Sequence, residues 1–145
     1  VDEARLILQG LENKNIPTED AAFSFNLNDP HYYILAIESG GPNINELKIN
    51  ISDFNTKFHN VNQYKTQSLM LNLFYQLIIV KNFQNGNDAL NYLEGIKGLA
   101  EIKEIVGASD FEHFIISSNN FKTFYKEKLL DKYLVYYEDK YLNYK

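Results

Sequence analysis

Apolar and polar positions along the chain repeat one arrangement: an apolar strand, a loop carrying Gly or Asn, then an amphipathic helix. In the first copy the strand His31 to Glu38, opening His-Tyr-Tyr-Ile-Leu-Ala-Ile, is broken by Gly40-Gly41-Pro42. Ile44, Leu47, Ile51, Phe54 and Phe58 then recur at alternating spacings of three and four, one stripe of a helix that leaves Lys48, Asn50, Asp53 and Lys57 to solvent. Asn43, with Glu46 three residues on, reads as a capping box opening that helix. The second copy places its strand at Tyr75 to Phe83, its loop at Asn85-Gly86-Asn87 and its helix from Asp88 to Leu99. Asn87 is the expected cap there, and Ala89, Leu93, Ile96 and Ala100 the inner face. Further strands are predicted over about Lys65 to Asn72 and Glu112 to Ser117. Two such units, each closed by a further strand, predict an α+β fold: a ferredoxin-like βαββαβ antiparallel sheet with helices on one face.

Extra segments flank this frame. Val1 to Asn13 is helix-like, and Phe23, Phe25 and Leu27 alternate as a short extended piece. Residues 1–29 are therefore read as a linker or the tail of a preceding helical repeat region, and 30–145 as a single α+β domain. Glu101 to Ala108 continues the second helix or adds a short turn. After the fourth strand, Asn119 or Asn120 is expected to cap a helix over Phe121 to Lys126, followed by an amphipathic helix over Leu129 to Tyr144. In that closing helix Leu130, Tyr133, Leu134, Tyr137, Tyr141 and Tyr144 share one face, with Asp131, Glu138 and Asp139 opposite. A face so apolar must be buried on something.

Composition narrows the functional classes. At 145 residues the chain is long enough to withdraw roughly 68% of its unfolded surface from water without a metal or disulfide. The hydrophobic fraction of 45% excludes global disorder, and the longest aliphatic run, Leu77 to Val80, is far short of the ~20 residues a membrane span needs. A net charge of -5, with thirteen lysines and the single arginine Arg5, argues against nucleic acid as a partner. Cysteine is absent, which removes thiolate chemistry and Cys-based zinc sites and fits a periplasm as well as a cytosol. The chain is read as a piece of a longer protein.

Candidate chemistry is sparse. His31, His59 and His113 do not have metal-ligand spacing, and the Gly-Ala-Ser-Asp-Phe context of Ser109 lacks the second glycine of a nucleophile elbow. The first strand-to-helix loop, Ser39 to Asn43, has no arginine to hold a phosphate, although its helix N-terminus has room for an anion. No catalytic residue, metal or cofactor is assigned. Eleven tyrosines and ten phenylalanines crowd toward the C-terminal part. Tyrosine joins a large apolar body to a hydroxyl that suits a wet interface, so Tyr133, Tyr136, Tyr137 and Tyr141 are the partner-binding candidates.

Several phrases occur in an order that resembles a known module. They are Pro30-His31-Tyr32-Tyr33-Ile34-Leu35, Leu47 to Asn55, Val80-Lys81-Asn82-Phe83 with Ala89-Leu90-Asn91-Tyr92, and Ile115 to Phe121. Together they look like the C-terminal domain of the tetratricopeptide-repeat lipoproteins of Bacteroidetes that serve gliding motility and type IX secretion. The resemblance implies a non-catalytic protein-binding domain on the periplasmic side of the envelope, in a parent protein anchored in the outer membrane. Its partners would be protein components of the secretion and motility machinery. The second unit also resembles half of a sporulation-related repeat (SPOR) domain, which implies peptidoglycan binding as the alternative, in a groove lined by strand aromatics such as Tyr33 and Tyr75. A small-molecule-binding regulatory domain is the second alternative.

Overall fold

The computed structural model describes residues 23–59, 63–98 and 111–142. The expected helix at Val1 to Asn13, the stretch Glu101 to Ala108, and Ala100, Ser109 and Tyr144 lie outside these residues. The chain divides into two units, Asn26–Phe121 and a second one in which residues 23–25 join residues 122–142. Residues 26–29 belong with the sheet, because the Leu27 carbonyl accepts the Gly86 amide at 2.7 Å and the Asp29 carbonyl meets Nδ1 of His31 at 2.7 Å.

In the sheet unit, β1 (His31–Glu38), β2 (Lys65–Met70), β3 (Tyr75–Phe83) and β4 (Phe111–Ser117) form a four-stranded antiparallel sheet in the order β2-β3-β1-β4. Helix α1 (Ile44–His59) follows β1 and helix α2 (Gly86–Ile96) follows β3. The apolar run of β1 suits its interior place: Tyr33, Leu35 and Ile37 point to one face, Ile34 and Ala36 to the other, and all are buried. Across the β1–β3 ladder Val80 and Ile78 stand opposite Tyr33 and Leu35, and Ile79 and Leu77 opposite Ile34 and Ala36. The register slips between His31 and Tyr33 against β3, where Asn82 takes a positive φ of 86. Asparagine tolerates that conformation better than most residues, and the Asn82 amide fixes it by donating to the Gln63 carbonyl at 3.1 Å.

Helices α1 and α2 meet through Tyr92. Its ring touches Tyr33 of β1, Phe54 and His59 of α1, Tyr64 and Phe83, with centroid separations from 5.0 to 5.7 Å. Its hydroxyl donates to the Asn55 side-chain oxygen at 2.5 Å, and the Asn55 amide donates to the Thr66 hydroxyl at 3.2 Å. One buried polar chain thus ties α2 to α1 and α1 to β2. Burial pushes the Tyr92 hydroxyl well above its ordinary pKa, against the opposing effect of the Asn55 bond.

Local details depart from the sequence reading in four places. Asn85, not Asn87, caps α2: its extended backbone lets Oδ1 accept the Asp88 amide at 2.9 Å. Gly86 thereby enters the helix, where a Cβ would come within 2.5 Å of a Leu27 methyl. Phe58, expected inside, is 59% exposed, because His59 takes the inward place at the last turn and contacts Tyr64 and Tyr92. Helix α3 (Ser118–Glu127) is opened by Ser117, whose hydroxyl accepts the Asn120 amide at 3.1 Å, not by Asn119 or Asn120. The expected closing helix is shorter: α4 (Leu130–Tyr137) widens into a π-helical turn at Glu138–Leu142. The break before it falls at Lys128, whose φ of 61 follows a final amide bond to the Phe124 carbonyl.

Replacing Tyr92 by Phe keeps the ring contacts and removes the hydroxyl that donates to the Asn55 oxygen. The expected outcome is a loss of about 1–3 kcal/mol in stability, read by denaturant melts, with the native secondary structure retained.

Candidate functional site

The C-terminal tyrosines sort by their position around α4. Tyr133, Tyr137 and Tyr141 recur every four residues and are 0%, 5% and 4% exposed. Phe23 and Phe124 both pack against the Tyr133 ring, at 5.2 and 5.7 Å, and Tyr137 stacks on Tyr141 at 5.1 Å. Burial among these rings holds the Tyr133 hydroxyl well above the usual tyrosine range, with neighbouring Tyr141, Tyr136 and Tyr137 adding to it. Three of the four partner-binding candidates are therefore core of the helical unit. The physical reason is the one that placed them on a stripe: a periodic aromatic face is the face a helix buries.

Tyr136 alone of the four stands at the surface, half-buried, with its ring 5.2 Å from Phe23. It lines a cleft of about 890 Å³ together with Phe23, Phe25, Leu129 and Val135. Leu129 is 57% and Val135 72% exposed, so the walls offer apolar surface to water. Charges of both signs edge the cleft, from Asp131, Lys132, Asp139 and Lys140. Lys132 is held by both Glu127 carboxylate oxygens, at 2.9 and 3.0 Å, and Lys140 lies 3.6 Å from Asp139. Apolar walls with a charged rim suit large apolar side chains inside the cleft and polar groups at its edge. The tyrosine stripe did not point to Leu129 and Val135. The available signal was their isolation, as apolar residues off the apolar face of the closing segment.

In the sheet unit the two aromatics proposed for a groove do not meet. Tyr33 faces α2 and is 2% exposed, while Tyr75 pairs with Glu38 on the opposite face and is half-buried. Strand alternation separates them, since one residue number is odd and the other pairs with an even position of β1. A recess of about 340 Å³ does lie between α1 and β2, lined by neutral polar groups including Ser52, Thr56, His59, Gln63, Tyr64 and Thr66. At the start of α1, the Asn43 side chain accepts the Glu46 amide at 3.1 Å, so one donor that an anion would use is taken.

His31 and His113 make contacts that hold the fold. His113 accepts or donates at 3.1 Å with the Tyr33 hydroxyl, and His31 is fully buried beside the Asp29 carbonyl. Among the described residues no three His, Cys, Asp or Glu side chains converge as a metal site.

Burial lowers the pKa of both His31 and His113 below the ordinary 6.5; Asp29 opposes the shift at His31, while Lys97 adds to it and Glu94 opposes it at His113. The folded state then binds fewer protons than the unfolded chain, so the stabilisation is complete above about pH 6.5 and is lost as pH falls through the lowered values. Melting temperature should fall as the pH drops below about 6.5, with a shallower slope in His113→Gln. In the helical unit, Tyr133→Ala should cost about 3–5 kcal/mol and Tyr136→Ala only about 1 kcal/mol, measured by chemical unfolding.

No family model, curated protein or solved structure matches the chain.

Proposed function

We propose that this chain is a non-catalytic protein-binding domain of the cell envelope, built on a ferredoxin-like βαββαβ frame. The frame is supported by the antiparallel order β2-β3-β1-β4 and by the alternation of two strand–helix units along the chain. The binding role is carried by the cleft of the helical unit, where exposed Leu129 and Val135 and half-buried Tyr136 surround a hollow floored by Phe23. Apolar surface of that kind persists in a folded domain when something else covers it in use. The ordered phrases that resemble the secretion and gliding-motility lipoproteins favour protein components of that machinery as the partners, met on the periplasmic side.

A second reading, peptidoglycan binding, draws support from the recess beside α1, since hydroxyls, an amide and the Tyr64 and His59 rings suit an uncharged sugar.

The domain, immobilised, should retain a small set of proteins from detergent-solubilised envelope, and Val135→Glu with Tyr136→Ala should lose them. A loss of at least about 2 kcal/mol in binding is expected if Tyr136 anchors the contact, with the melting curve little changed. Equal retention by the double variant retires the cleft as the binding site. Pelleting with purified sacculi, abolished by Tyr64→Ala, is the outcome that transfers the role to glycan.

A further inference from the structure

From the outward side of β2, the last strand of the described sheet, we infer that the sheet unit pairs with a second copy of itself, β2 against β2, in an antiparallel two-fold arrangement centred on Gln67. The ladder geometry sets which backbone groups are available. The Leu71 amide donates to the Tyr75 carbonyl at 3.0 Å, and Leu71 and Tyr75 continue the register in which Leu69, Gln67 and Lys65 stand opposite Leu77, Ile79 and Lys81. Hydrogen-bonded pairs alternate along an antiparallel ladder, so Leu69, Gln67 and Lys65 direct their amides and carbonyls toward β3. Thr66 and Ser68 direct theirs away from the sheet, and among the described strands β2 is the outermost on that side.

The strand itself carries none of the sequence-borne protections of an edge. It contains no proline, its pairing with β3 shows no bulge, and its one charge, Lys65, sits at the end. A second copy suits it better than an arbitrary strand because the sequence is compatible with its own reversal. With Gln67 on the axis, Thr66 of each copy stands opposite Ser68 of the other, which forms two reciprocal hydrogen-bonded pairs from the outward groups alone. Gln67 then faces Gln67, and Leu69 lies along the aliphatic stem of Lys65. Moving the axis to Ser68 sets the Gln67 amide against Leu69. No like charges oppose each other in the Gln67 alignment.

Exposed apolar residues fall where such a pairing covers them. Leu73 and Phe74, 84% and 72% exposed, lie past the C-terminal end of β2, and Phe58, 59% exposed, ends the helix that precedes its N-terminal end. The hairpin holds the first two in place, since the Asn72 side-chain oxygen accepts the amides of Phe74 and Tyr75 at 2.8 and 3.0 Å. Antiparallel pairing brings the hairpin of each copy toward the α1 end of the other, which adds apolar burial that a short pair of strands lacks.

The chain has no cysteine, which permits a direct test. Gln67 takes no outward hydrogen bond, so in the paired ladder Gln67 and its symmetry mate form the close, non-hydrogen-bonded kind of pair, within disulfide reach. The full chain should sediment as a concentration-dependent dimer, and Gln67→Cys should cross-link under mild oxidation while Thr56→Cys does not. Gln67→Lys, which opposes two charges on the axis, should sediment as a monomer with unchanged circular dichroism and melting temperature. A wild-type chain that stays monomeric at every concentration overturns the inference. So does a dimer that survives Gln67→Lys, or one that cross-links at Thr56→Cys and not at Gln67→Cys. Pairing of β2 with a strand of another protein, without any self-association, overturns it equally.

Discussion

The sheet unit depends on how one large polar-tipped ring is buried. Tyr92 sits 1% exposed among five other aromatic rings, and its hydroxyl is satisfied only because Asn55 is turned inward from α1. Asn55 is in turn held by Thr66 of β2. A hydroxyl left unpaired at that depth would be expensive, so the rotation of α1, the placement of α2 and the side-chain direction of β2 are coupled through a single chain of donors and acceptors. Apolar packing alone would fix the helices on the sheet less specifically, since rings of similar size tolerate sliding where hydrogen bonds do not.

Much of this architecture was legible in the sequence. Period-two and period-3.6 patterning located the four strands and both crossover helices to within a few residues, and Asn43 was recognised as a cap. What escaped were choices made by tertiary contact. Asn55 was not on the expected inner stripe, because an amide looks solvent-bound until its buried partner is known. Phe58 looked internal by spacing, yet the turn closed with His59 facing Tyr64 and Tyr92. The cap of α2 lies at Asn85, two residues before the expected Asn87, and Gly86 after it donates its amide to Leu27, a tertiary bond that no local pattern announces.

The candidate site was legible in a different sense. Periodicity identified Tyr133, Tyr137 and Tyr141 as sharing a face, but a stripe that strong marks burial, and the ring contacts of the helical unit consumed it. Tyr136, one step off the stripe, reached the surface beside Leu129 and Val135. Sequence pattern reports which residues a helix hides more readily than which it offers, because an exposed apolar residue breaks the pattern instead of forming it.

The central position of β1 has a mechanical consequence. Segment 26–29 is joined to α2 by the Leu27–Gly86 bond, and it leads directly into a strand bonded on both sides, to β3 and β4. The chain leaves the sheet beside the point where it enters, because β4, at one end of the described sheet, pairs antiparallel with β1 and sets Ser117 opposite His31. Tension between Asn26 and Phe121 therefore opens the β1–β4 ladder pair by pair from that end, starting at the bond from the Ser118 amide to the Pro30 carbonyl, while β1 stays paired with β3.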